Sequence, residues 1–189
     1  MIDTIRSDLF RWYGKDKLSI IEKIRAQMIP QIKIMMVKRR VEQYRDSNGL
    51  LFLVYSWKYR RLKIRYGVDI PARVKLGNGI MIEHIGGITI NPEVVIGNNC
   101  NIYNGVTIGV EKRGKREGTP IIGNRVWIGA NSVVVGKVSI GDNVLIAPGA
   151  FVNFDVPENS IVLGNPGRIM RNIHATDKYI INTVQEFTK

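Results

Sequence analysis

The 189-residue chain is 44% apolar and 23% charged, a balance that supports a packed core and excludes intrinsic disorder. A single cysteine, Cys100, excludes an internal disulfide, and no Cys/His cluster offers a structural zinc site. The net charge of +12 is uneven: residues 1–67 hold sixteen basic and six acidic side chains, residues 68–189 twelve and ten. A field of this sign draws nucleic acid, an anionic membrane surface or a phosphorylated substrate.

The first third reads as helical. Ile2, Ile5, Leu9 and Tyr13 recur at three- and four-residue spacing. Ser19 followed by Glu22 has the form of a capping box, and Pro30 breaks or kinks the segment that follows. Asp46-Ser47-Asn48-Gly49 is a turn signal, after which Leu50 to Tyr66 reads as an amphipathic helix with a basic face. Two to four helices are expected within residues 1–67. The apolar run Leu50 to Trp57 is too short to cross a bilayer, and no apolar stretch precedes a small-residue cleavage site, so a cytoplasmic location is expected. SWKYRRLKIRY (56–66) sets basic residues among aromatics, which suits peripheral contact with anionic lipid headgroups; the plain alternative is a solvated helix face. No zinc-finger spacing, RNP-like run or basic region leading into heptads is present, so no nucleic-acid partner is expected.

From residue 76 the period changes. Ile122, Ile128, Val134, Ile140, Ile146 and Val152 are six residues apart, and so are Ile90, Ile96, Ile102 and Ile108. The fifth hexad position is small or β-branched, as in Val94, Cys100, Val106, Val126, Ser132, Val138, Val144, Ala150 and Val156. Leu76, Ile82 and Ile88 form a further run before a two-residue slip. A period of six fits neither an amphipathic helix nor one alternating strand. It fits a short strand plus a turn, repeated, with each unit burying its aliphatic residue only by stacking on the next. The reading is a mainly β chain: a parallel β-helix over residues 68–166, a basic α-helical region before it (1–67), and a C-terminal tail (167–189) with helical character.

The repeat [Leu/Ile/Val]-Gly-x-x-[small]-x resembles the hexapeptide-repeat acyltransferases. The resemblance covers roughly residues 68–170 and implies a left-handed β-helix, three hexads per triangular coil, assembled as a homotrimer. DIPARVKLGNGIMIEHIGGITI, GVTIG, GTPIIGNRVWIGANS and VPENSIVLGNPGRI are similar to the serine acetyltransferase branch. Within that branch they look closest to the short members that O-acetylate sugars of capsular or exopolysaccharides. That implies transfer of acetyl from acetyl-CoA to a sugar hydroxyl, with serine as the alternative acceptor and a non-catalytic basic scaffold as the rival reading.

An alcohol needs a base to become a nucleophile, and an imidazole with an ordinary pKa of about 6.5 suits that task near neutrality. His84 lies in Glu83-His84-Ile85-Gly86-Gly87, where the register slips. The branch uses the histidine of this motif as base, so the role carries to His84. Its partner aspartate lies fifteen residues upstream, the place of Asp69. A coil of about eighteen residues puts the two on neighbouring coils. The residue before the histidine is usually Asp and here is Glu83; a second histidine before a proline is replaced by Thr119; and the helical N-terminal region is shorter than in the serine enzymes. Glu83, Thr119 and Arg116 are the expected acceptor contacts. Gly129, Ala130 and Ala147 are expected along the pantetheine arm, and Arg168 and Arg171 at the coenzyme phosphates; Phe154 stands where some relatives carry lysine. Residues 110–120 (VEKRGKREGTP) interrupt the hexads as a loop, expected to reach over a neighbour's site with Lys112, Arg113, Lys115 and Arg116. Trp127 should point away from the solenoid interior, and His174 reads as surface. No metal is expected: a three-histidine zinc site of the carbonic anhydrase kind cannot be built from two histidines ninety residues apart.

Overall fold

A computed structural model describes residues 3–184; Ile2 and the last residues of the tail lie outside the described residues. Four helices come first. α1 (Thr4–Tyr13) is capped by the Asp3 carboxylate and α2 (Ile20–Met28) by Ser19. Both halves of the Ser19–Glu22 capping box form, as the spacing predicts. Pro30 does not kink a helix: it opens α3 (Pro30–Tyr44) at its first turn, where a missing N–H costs nothing. Asn48 accepts from the Leu51 N–H and starts α4 (Gly49–Tyr66), which Gly67 ends in the left-handed conformation. No described helix is long and apolar enough to cross a membrane.

The rest is a left-handed parallel β-helix of three faces. The first stacks β1 (Val68–Asp69), β4 (Ile88–Ile90), β7 (Thr107–Gly109), β10 (Val133–Val135) and β13 (Phe151–Val152). The second stacks β2 (Lys75–Leu76), β5 (Val95–Ile96), β8 (Ile121–Ile122) and β11 (Ser139–Ile140). The third stacks β3 (Met81–Ile82), β6 (Asn101–Ile102), β9 (Val126–Ile128), β12 (Val144–Ile146) and β14 (Ser160–Leu163), with β15 (Arg168–Arg171) added antiparallel. The hexad aliphatics and their small partners fill the interior: Ile102, Ile108, Ile128, Val134, Ile146 and Val152 are fully buried. Glycine follows the second-face aliphatic because the corner has no room for more. A Cβ on Gly77 would lie 2.6 Å from the Gly97 carbonyl, and one on Gly97 2.6 Å from that of Gly123. Beside them Asn98, Asn124 and Asp142 each accept the backbone N–H of the coil before, at 2.7–2.8 Å.

The helices close the N-terminal end. A first coil has no coil before it to satisfy its carbonyls, an edge that must be covered or paired. Cationic side chains do this. Arg39 donates to the carbonyls of Leu76 and Gly77, Lys38 to Val74, and Arg11 to Gly79 and Ile181. Arg39 also holds the buried Asp8 carboxylate at 2.8 and 3.2 Å, and Asp8 accepts from Ile80 N–H. Part of the basic charge of residues 1–67 is therefore internal, which composition does not reveal.

Two expectations are corrected. The C-terminal tail is not helical over residues 168–183: Arg168–Arg171 is a strand, followed by turns in which Ala175, Tyr179 and Ile180 fold over Trp127. The reason is β14, whose free edge β15 covers. Second, α4 is not simply apolar inside and basic outside. It packs Tyr59 and Leu62 inward yet also exposes Leu50, Leu53, Trp57 and Ile64.

Candidate active site

The register locates the slip. Ile82 pairs with Ile102 and Thr89 with Thr107, so the corner between the third and first faces holds two residues more in the first coil than in the second. Those extra residues fall in Glu83–Gly87. Gly86 (φ +105°) and Gly87 (φ +68°) absorb the bulge in backbone that L side chains rarely adopt, and Gly105 N–H donates to the Gly86 carbonyl at 2.8 Å to keep the ladder. His84 sits on this bulge, exposed, with its ring edge-on to Tyr103 at 5.6 Å between centroids. Tyr103 continues to Trp127 at 4.7 Å, and Trp127 to Tyr179 at 5.1 Å, an aromatic run that buries the flank of the corner.

Glu83 is half-buried and points to the third face. Its carboxylate accepts from Asn101 Nδ2 at 2.7 Å, and Asn101 in turn accepts from Arg11 at 2.6 Å. Gln31 of α3 donates to the Glu83 carbonyl at 3.1 Å, fixing the backbone next to His84. Burial raises the Glu83 carboxyl above its ordinary value, opposed by the Asn101 hydrogen bond and by the charges of Arg11 and His84.

Asp69 ends β1, directly beneath Thr89, so it shares with His84 the edge where the first coil passes into the second. Its carboxylate is held not by His84 but by Lys63 of α4, with Nζ 2.6 Å from Oδ1. Lys63, Asp69, Thr89 and Arg60 line one open cleft. Sequence reasoning missed Lys63, Gln31 and Tyr103 as site residues: Lys63 was read only as part of the basic run 56–66, and each reaches the site through tertiary packing.

Gly129, Ala130 and Ala147 follow β9 and β12 at the same third-to-first corner as His84. At a strand spacing of about 4.8 Å they stand roughly 10–14 Å from it along the axis. Gly129 has a packing reason to be glycine, since a Cβ there would meet Pro148 N at 2.6 Å and the Trp127 ring at 2.7 Å. Arg168 and Arg171 are exposed on β15; Arg171 donates to the Glu158 carbonyl, and Arg168 borders a cavity with Gly164, Asn165 and Pro166.

The loop is a hairpin. Glu111 and Gly118 exchange both backbone hydrogen bonds, Lys137 N–H donates to the Arg116 carbonyl, and the Arg116 guanidinium faces Asp155 at 3.4 Å. It leaves between β7 and β8, the first-to-second corner. Thr119 and Arg116 are therefore at a different corner from His84 of the same chain. His174 is exposed and pairs with Asp177 at 2.8 Å. Among the described residues no group of three or more His, Cys, Asp or Glu is placed to hold a metal.

The family model for bacterial transferase hexapeptide (six repeats) matches residues 119–153. A solved structure of the Neisseria gonorrhoeae serine acetyltransferase, in complex with serine, superposes with a TM-score of 0.70 at 30% identity, covering 88% of this chain and 67% of that one. The chain belongs to the serine acetyltransferase branch of the hexapeptide-repeat family. Serine acetyltransferase of Synechococcus elongatus is 42% identical over 106 residues, 55% of this chain and 43% of the relative. Serine acetyltransferase 2 of Arabidopsis thaliana is 35% identical over 117 residues, 62% of this chain and 36% of the relative. The chain thus spans less than half the length of these two curated relatives. The expectation of a capsular or exopolysaccharide acceptor is corrected by these likenesses: the relatives are serine acetyltransferases, and one is solved with serine bound. Glu83 and Thr119 depart from the motif of the serine enzymes, but neither replaces His84, and Gln31 of the N-terminal helices supports the bulged corner through the Glu83 carbonyl.

Proposed function

We propose that the chain is a serine O-acetyltransferase that moves the acetyl group of acetyl-CoA to the serine hydroxyl, with His84 as general base. The observation that carries this reading is the two-residue bulge that presents an exposed His84 at the third-to-first corner, in a chain whose relatives are serine acetyltransferases. The imidazole takes the hydroxyl proton while the oxygen attacks the thioester carbonyl carbon. The tetrahedral intermediate places its negative charge on the former carbonyl oxygen, where corner N–H groups are the candidate donors. The C–S bond then breaks, and the departing thiolate takes the proton from the imidazolium. Asp69 is the proposed orienting carboxylate. Lys63 occupies Oδ1, leaving Oδ2 to accept from an imidazole N–H.

Serine brings an ammonium and a carboxylate to the site. Glu83 is the proposed anionic contact for the former, and the cationic loop, Arg116 included, for the latter; Thr119 stands in for the missing second histidine. Because the loop leaves from a different corner than His84, it serves the His84 of a neighbouring copy, and the homotrimer implied by the family completes the site. The pantetheine arm would run along Gly129, Ala130 and Ala147, whose small side chains leave the corner backbone open, toward Arg168 and Arg171 for the phosphates.

The test is free-thiol release from acetyl-CoA with and without serine. Serine-stimulated release is expected, and His84→Ala should lower turnover by about 10²–10⁴ with an unchanged circular dichroism spectrum. Release indifferent to serine, or a fully active His84→Ala, would sink the reading.

A further inference from the structure

We infer that the outer face of α4 is a docking surface for an anionic lipid bilayer. The helix is apolar on two sides. One side packs Phe52, Tyr59 and Leu62 against α3 and the first coil, and Tyr59 Oη donates to the Ile70 carbonyl at 2.6 Å, which fixes the helix's rotation. The opposite side leaves Leu50, Leu53, Trp57 and Ile64 at 73, 65, 63 and 76% exposure. At 100° per residue these four fall within a narrow arc, and from Leu50 to Ile64 the stripe runs about 21 Å along the axis.

Charge decides the occupant. Lys58, Arg60, Arg61, Lys63 and Arg65 lie on α4 and no acidic residue does. Arg60 borders the stripe on one side, and Arg61, Arg65 and Lys58 on the other; the Arg61 guanidinium lies 5.0 Å over the Trp57 ring. A second copy docked on this face would bring like charges together, whereas a symmetric contact needs a self-complementary patch. An apolar stripe with a tryptophan, rimmed by basic side chains, is complementary to acyl chains beneath anionic headgroups. α2 adds a second outward stripe of Ile20, Ile21, Ile24 and Met28, and Gln27 of α2 shares a cleft over α3 with Tyr55 and Lys58 of α4. Arg60 and Ile64 at the end of the stripe also line the cleft of Asp69, so vesicle flotation, which needs no turnover, is the readout that separates this inference from the proposed activity.

The test is flotation of the full chain with phosphatidylcholine vesicles, with and without phosphatidylserine, at low and high salt. Flotation is expected only with phosphatidylserine and should fade as salt rises. Leu53→Ser/Trp57→Ser/Ile64→Ser should abolish it. Lys58→Gln/Arg61→Gln/Arg65→Gln should weaken binding about 10²-fold, several-fold for each charge removed. Both variants alter exposed side chains, and circular dichroism with sedimentation checks fold and assembly. Should wild type stay with the pellet at low salt, the inference is overturned. It is equally overturned if the serine variant falls to a smaller assembly while wild type ignores vesicles, since the face then joins copies of this chain.

Discussion

Lys63 Nζ lies 2.6 Å from Asp69 Oδ1, which ties the last turn of α4 to the first strand of the solenoid at the edge that carries His84. The pair is open to water, with the Asp69 side chain 66% exposed. Its contribution to stability is therefore below about 1 kcal/mol. Lys63→Met should leave the urea midpoint nearly unchanged. Asp69→Asn should also keep the fold but lower turnover by at least tenfold and as much as about 10⁴, the range open to a carboxylate that orients a base. Equal activity of Asp69→Asn and wild type would remove Asp69 from the mechanism.

Arg39 behaves in the opposite way because it is buried. It spans Asp8 of α1 and the carbonyls of Leu76 and Gly77. Arg39→Met strands a buried carboxylate and frees two carbonyls, so a loss of about 3–5 kcal/mol is expected in urea unfolding. Adding Asp8→Asn should recover part of it, because the stranded charge is gone. A loss below about 1 kcal/mol would mean that water reaches Asp8 and that the helical cap is loose.

Gly77 and Gly49 predict contrasting results. A Cβ at Gly77 meets the Gly97 carbonyl at 2.6 Å, so Gly77→Ala must shift one coil against the next and should cost about 1–3 kcal/mol. At Gly49, the first residue of α4, a Cβ meets nothing within 4 Å. Gly49→Ala should be neutral or stabilise by up to about 1 kcal/mol by restricting the unfolded chain. Thermal melts of the two variants check both signs.

Cys100 gives a pH dependence. Burial in the solenoid pushes its thiol up to about 12. Above an unfolded thiol pKa of about 8.5 the unfolded chain releases this proton and the folded chain keeps it. Stability contributed by this group is thus complete below about pH 8.5 and falls as pH rises toward 12, by at most about 1.4 kcal/mol per pH unit. Urea unfolding at pH 8 and pH 10 should show a steeper loss for wild type than for Cys100→Ala. A thiol reagent at pH 8 should label the protein only after urea is added.

The hexads were legible because they are a local rule repeated: each aliphatic needs only a stacked copy of itself, so Ile102, Ile108, Ile128 and Ile146 are buried wherever the repeat places them. The slip at Glu83–Gly87, the capping box at Ser19 and the turn before Gly49 are also short-range, and each is set by residues within a few positions. Partners far apart in sequence were decided by the tertiary structure alone. The family resemblance pairs Asp69 with His84, yet Lys63, reaching down from α4, holds the carboxylate. Trp127 points outward as its hexad position requires, but only folding determines that Tyr103 and the tail's Tyr179 cover it. Likewise a basic composition reads as surface charge, while Arg11, Lys38 and Arg39 turn inward because the open end of a β-helix presents carbonyls that some donor must meet.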